Sequence, residues 1–121
     1  METNIKKKEE MPFIPRLLIC GINTPECVQL LINREDFTIG YSEECNGVLR
    51  FNREISKLHC RIVYKEKEFY IIDCGSTNGT YLNGSRLEKD APYPLREGDR
   101  LRFSTSTFAV EMLHNIPKEE E

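Results

Sequence analysis

Apolar residues in this chain recur in short runs broken by turn residues at spacings of about eight to twelve, and no segment repeats them at helical spacing over several turns. That pattern suits strands, whose side chains alternate between a buried and a solvated face. Arg16 to Cys20 and Cys27 to Ile32 are apolar runs parted by Gly21, Asn23 and Pro25. Phe37 to Gly40 is a further candidate strand. Cys60 to Tyr64 and Phe69 to Cys74 are rich in β-branched and aromatic residues, and the charged Lys65-Glu66-Lys67-Glu68 between them predicts a hairpin turn. Leu101 and Phe103 alternate with Arg100 and Arg102, and Phe108, Val110 and Met112 repeat the alternation. The expected fold class is all-β. Asn-Gly dipeptides at 46–47, 78–79 and 83–84 tolerate positive φ, so each predicts a tight turn.

At 121 residues the chain has room for one domain and can bury a core without metal or disulfide support. The expected unit spans 12–115. Residues 1–11 and 116–121 then form solvated tails, or linkers to a longer protein, because the first holds Lys6, Lys7, Lys8, Glu9 and Glu10 and the second is largely Pro-Lys-Glu-Glu-Glu. A net charge of −3 argues against general adhesion to nucleic acid or anionic membranes, while leaving room for one local anion site. No apolar stretch is long enough to span a bilayer, and the first ten residues lack the apolar core of a secretory signal. Cys20, Cys27, Cys45, Cys60 and Cys74 form no Cys-x-x-Cys pair, and the histidines are His59 and His114 alone. This spread argues against a zinc site or a disulfide framework. It predicts reduced thiols used as small apolar residues, a cytoplasmic setting, and no cofactor.

The informative stretch runs from Phe37 to Phe103. It contains Phe37-Thr38-Ile39-Gly40, then Ile55-Ser56-Lys57-Leu58-His59, then Asp73-Cys74-Gly75-Ser76-Thr77-Asn78-Gly79-Thr80-Tyr81-Leu82-Asn83-Gly84. It closes with Gly98-Asp99 ahead of Arg100 to Phe103. Phosphate recognition needs hydroxyls, backbone N–H groups in a shaped turn, and cations. Ser56 and Thr77 supply hydroxyls, and 75–79 can present backbone N–H groups. Residues 50–61 carry Arg50, Arg53, Lys57 and Arg61 against Glu54, a local +3. Asp73, just before a turn, is expected to cap loop N–H groups.

This ordered set resembles the forkhead-associated (FHA) family. The resemblance implies a mostly antiparallel β-sandwich of about eleven strands whose loops at one end bind phosphothreonine peptides. It assigns Ser56 to a phosphate hydrogen bond, Lys57 to a phosphate or peptide contact, Thr77 to the phosphothreonine pocket, and Asn78 to the peptide backbone. It assigns structural roles to His59, which ties its loop to its neighbours, and to Gly40, Gly79, Asn83 and Gly84, which shape turns. It implies a threonine-phosphorylated partner, with a Ser/Thr kinase upstream. One departure stands out. The family's glycine turn is followed by a phosphate-contacting arginine, and here Tyr41 follows Gly40. A neutral phenol replaces a forked cation at a cost of about 1.5–3 kcal/mol.

Three readings of the site stay open. Arg50, Arg53 or Lys57 replaces the missing cation; or the same loops bind a partner without phosphate; or the residues serve folding alone. Catalysis is not expected. His59 and Cys60 would face opposite sides of a strand, Ser56 and His59 lack a third group and an oxyanion hole, and no paired carboxylates appear. Arg96, Arg100 and Arg102 lie near Tyr93 and Phe103, but Glu97 and Asp99 interleave with them, so a solvated strand face is expected rather than a nucleic-acid surface.

Overall fold

The computed structural model describes residues 14–113. The expected tails, the unit boundaries at 12 and 115, and His114 lie outside the described residues. Eleven strands follow one another: β1 (Arg16–Gly21), β2 (Gln29–Ile32), β3 (Asp36–Gly40), β4 (Gly47–Val48), β5 (Cys60–Lys65), β6 (Glu68–Asp73), β7 (Thr80–Leu82), β8 (Ser85–Arg86), β9 (Pro92–Leu95), β10 (Arg100–Phe103) and β11 (Ser106–Leu113). Among the described residues there is no helix, hence none long and apolar enough to cross a membrane.

The strands form two sheets, ordered β2-β1-β11-β10-β7-β8 and β4-β3-β5-β6-β9. All pairings are antiparallel except β3 with β4. Alternation explains the sandwich. Ile19, Leu101, Phe103 and Phe108 turn inward from one sheet, and Ile39, Ile62, Phe69 and Ile71 from the other, each at most 2% exposed. Burying each of these side chains contributes about 1.5–3 kcal/mol, the main force holding the sheets together.

The structure redraws several local expectations. The run Cys27 to Ile32 becomes a strand only from Gln29, because Val28 instead donates to Glu26 O and accepts from Gly21 N–H. The Lys65–Glu68 turn is present, with Glu66 and Lys67 at φ of 54° and 68°, a left-handed pair carrying no glycine. The Asn-Gly dipeptides diverge. Asn83-Gly84 makes the expected tight turn, both residues at positive φ, and Gly79 is left-handed at 93°. Asn46-Gly47 is not such a turn: Gly47 opens β4, and Asn46 accepts from the Thr38 N–H with its side chain. The strands β4, β7, β8 and β9 had no alternation to announce them.

Strand directions gather the loops 41–46, 49–59, 74–79 and 104–105 at one end of the sandwich. The Glu66-Lys67 and Asn83-Gly84 turns lie at the other end. There Asn83 donates to Asp99 Oδ1 (3.1 Å) and accepts from Arg100 N–H (2.9 Å), joining the Asn-Gly and Gly-Asp motifs as a purely structural clasp.

Candidate functional site

Ser56 sits where three loops meet. Its backbone carbonyl accepts from Tyr41 N–H (2.9 Å), its N–H donates to His59 Nδ1 (3.0 Å), and its Oγ accepts from Thr77 N–H (3.0 Å). Because Nδ1 accepts, the His59 proton sits on Nε2, which donates to Gly79 O (3.0 Å). Burial holds this imidazole below the ordinary histidine value, and it is fully enclosed against Phe103. His59 thus bolts the 49–59 loop to the 74–79 loop. With both nitrogens committed, it is not available as a base for Ser56. The adjacent Cys60 thiol is fully buried and pushed well up by that burial, so it is inert.

The 74–79 loop is built on Asp73. Its carboxylate accepts from Gly75 N–H (2.9 Å), Ser76 N–H (3.2 Å), Ser76 Oγ (2.6 Å) and Thr80 Oγ1 (2.6 Å). Burial alone pushes the carboxyl up, and these four bonds outweigh it, so the net shift is downward. Ser76 Oγ in turn accepts from Gly79 N–H (3.1 Å). The capping role expected of Asp73 is therefore what the loop shows.

Gly40 lets the first loop approach. A Cβ there would overlap the Lys57 carbonyl oxygen and lie 2.9 Å from Ser56 O, both backbone atoms. The constraint is purely steric, since φ at Gly40 is not positive.

The three loops enclose an open groove of about 720 Å³. Tyr41, Arg53, Ser56, Lys57, Thr77 and Asn78 line it, six of the seven residues assigned to the site from sequence. The seventh, Arg50, faces a neighbouring hollow. Its guanidinium stacks 4.6 Å from the Tyr41 ring centroid and pairs with Glu43 at 2.6 Å. Arg61 is likewise taken up by Asp36 (2.6 Å), so of the four cations in 50–61 two remain for the groove, Arg53 and Lys57, whose side chains have no partner among the described residues. Asn78 is held by donating to Glu54 O (2.9 Å).

Two lining or flanking charges were not assigned to the site from sequence, although Glu54 was counted in the charge of 50–61. Glu54 lines the groove, its carboxylate accepting from Ser104 Oγ (2.9 Å). Lys89, placed by a bridge to Asp73, lays its chain beside Gly75, with Cε 3.1 Å and Nζ 3.6 Å from where a Cβ on that glycine would be. Neither position follows a local pattern. Among the described residues no group of three or more His, Cys, Asp or Glu side chains converges as metal ligands.

Hydroxyls, a positioned amide and two cations unpaired among the described residues line one open groove, a set of donors with the chemistry to meet an oxyanion. Comparison with known proteins places it: residues 37–104, more than half the chain, match the FHA domain family, and the chain belongs to it. E3 ubiquitin-protein ligase CHFR of Homo sapiens is 33% identical over 102 residues, covering 82% of this chain and 15% of that protein. The FHA domain of an Arabidopsis thaliana hypothetical protein superposes with a TM-score of 0.76 at 22% identity, covering 85% of this chain and 90% of that one. The N-terminal FHA domain of S. cerevisiae Rad53p, solved with a phosphothreonine peptide, gives 0.71 at 22% identity, covering 82% and 94%. The first curated relatives are much longer, and the chain spans 15–18% of their length.

Proposed function

We propose that this domain binds phosphothreonine-containing peptides or proteins, recruiting a partner phosphorylated by a Ser/Thr kinase. One observation supports the reading above others. Ser56 Oγ is held by accepting from Thr77 N–H, which leaves its own hydrogen as a donor in a groove that also holds unpaired Arg53 and Lys57. A dianionic phosphate in that groove would take the hydroxyl and one or both cations. Asn78, fixed by Glu54 O, would meet the peptide backbone, and Thr77 would line the threonine side. Arg50 acts one layer back, stacking on Tyr41 rather than reaching the phosphate.

The phosphate-independent alternative is disfavoured, because Arg53 and Lys57 carry no partner among the described residues and the carboxylate that lines the groove, Glu54, is taken up by Ser104 Oγ. No catalytic step is proposed for this chain. The ligase name of the matched relative covers a protein of which the match spans 15%. We further propose a folding unit of 12–115 and a cytoplasmic setting, in which five free thiols persist.

The test is a titration with a phosphothreonine peptide library and its unphosphorylated twin, on the native chain and on Ser56→Ala. Binding of the phosphorylated library alone, weakened in a Ser56→Ala variant that stays folded, is expected. Equal binding of both libraries would sink the proposal in favour of the phosphate-independent reading.

A further inference from the structure

The outer face of the six-stranded sheet carries a cationic row that the groove does not use. Arg86, Tyr81 and Arg102 stand directly opposite one another on β8, β7 and β10. The Arg102 guanidinium lies 3.8 Å from the Tyr81 ring centroid and that of Arg86 5.9 Å from it. Arg102 also donates to Ser104 O at 2.6 Å. Arg100, two residues along β10, shares the face. The cross-strand partners on β11 are Thr107 and Ala109, and the first carboxylate along that strand is Glu111. The arginines expected to form a solvated face therefore include one that is half-buried on an aromatic, with no acid in its row.

Stacking fixes a guanidinium while leaving much of its N–H fork open to a carboxylate. The row also abuts the groove. A Cβ on Gly79, the residue after Asn78, would lie 2.8 Å from Tyr81 Cε1 and 3.0 Å from Arg86 Nε. Lys89, beside Gly75, flanks the beginning of the same loop. A peptide leaving the groove over 75–79 meets this row next.

We propose that the row extends the phosphopeptide groove and binds Asp or Glu side chains of the same ligand, so that the domain selects phosphothreonine sites neighbouring an acidic stretch. This rests on the phosphopeptide reading. Carboxylates are the fitting chemistry, since planar forks pair with them bidentately. The overall charge of −3 disfavours nucleic acid as the occupant.

The experiment measures affinity at low salt for a short phosphothreonine peptide, alone and extended through a Gly-Ser spacer by three Glu or three Gln, on either side. The Glu extension on one side should tighten binding about 3–10-fold over Gln, as expected for a few exposed charge pairs. Arg86→Gln and Arg102→Gln should each shrink that gain while binding the unextended peptide as the native chain does. Arg86 is exposed on an edge strand, so its variant keeps the proposal testable even if Arg102→Gln fails a melting check. The proposal is overturned if the unextended peptide binds and neither extension gains, if the gain survives in Arg86→Gln, or if a single-stranded oligonucleotide binds through these arginines better than the acidic extension. Failure of the unextended peptide to bind would instead bring down the groove reading, and this one with it.

Discussion

Replacing Asp73 with asparagine keeps the volume of the side chain and removes its charge, which isolates the hydrogen bonds that shape the 74–79 loop. Oδ2 accepts from two backbone N–H groups, those of Gly75 and Ser76, and Oδ1 from two hydroxyls, those of Ser76 and Thr80. An asparagine has one acceptor oxygen. If that oxygen faces the hydroxyls, its NH2 confronts two N–H donors. If it faces the N–H groups, the hydroxyls must accept from the NH2, and their own hydrogens lose their acceptor. Either orientation strands two donors where Thr80 is fully buried and Ser76 is 8% exposed. At about 1–3 kcal/mol per stranded buried group, less what the loop recovers by relaxing, D73N should cost about 2–4 kcal/mol. Such a loss is a large share of a typical domain's stability. Urea unfolding followed by far-ultraviolet circular dichroism reads it, since the chain has no tryptophan to report by fluorescence. The midpoint should fall at unchanged m-value. A loss under about 1 kcal/mol would refute the claim that this carboxylate organises the loop.

Acidification acts on the same scaffold through His59 and Asp73. Both are held below their ordinary values in the fold, so the unfolded chain takes up each proton first. Stability should be level from the ordinary histidine value of 6.5 up toward the ordinary thiol value of 9.0, decline as pH falls through the window beneath 6.5, and decline again below the ordinary aspartate value of 3.8. A native chain whose unfolding midpoint does not change between pH 7 and pH 5 would contradict the neutral His59 assignment. Gly40→Ala should push β3 off Lys57, breaking the Tyr41 and Ser42 bonds to 56–57, and cost about 2–4 kcal/mol in the same assay; a neutral effect would mean the backbone is not held there. Tyr41→Arg, which restores the family's arginine, should tighten phosphopeptide binding about tenfold by calorimetry. No change would show that Arg53, Lys57 or Lys89 already neutralises the phosphate.

What the sequence determined on its own was whatever lies in local order. The alternation at Leu101–Phe103 and Phe108–Met112 announces those strands because alternate residues must face the same side of a sheet, and the β-branched and aromatic runs Cys60–Tyr64 and Phe69–Cys74 announce theirs by composition. Ser56, Lys57, Thr77 and Asn78 were assigned to one site by the family resemblance of their motifs, and the structure lines one groove with all four. Strands as short as β4 and β8 hold no period to read, and β9, with Pro92 and Pro94, reads as coil until its place at a sheet edge excuses the missing donors. The Asn46-Gly47 turn was misread because its Asn side chain, paired to Thr38, outweighs its tolerance for positive φ. The fate of each charge was decided by tertiary structure alone. Arg50 and Arg61 are matched to acids, Arg53 and Lys57 are left to the groove, Lys89 is brought to Gly75 by its bridge to Asp73, and Arg102 is laid on Tyr81. Those placements depend on the register between strands and loops far apart in the chain, and register is set by packing two whole sheets face to face rather than by any neighbouring residue.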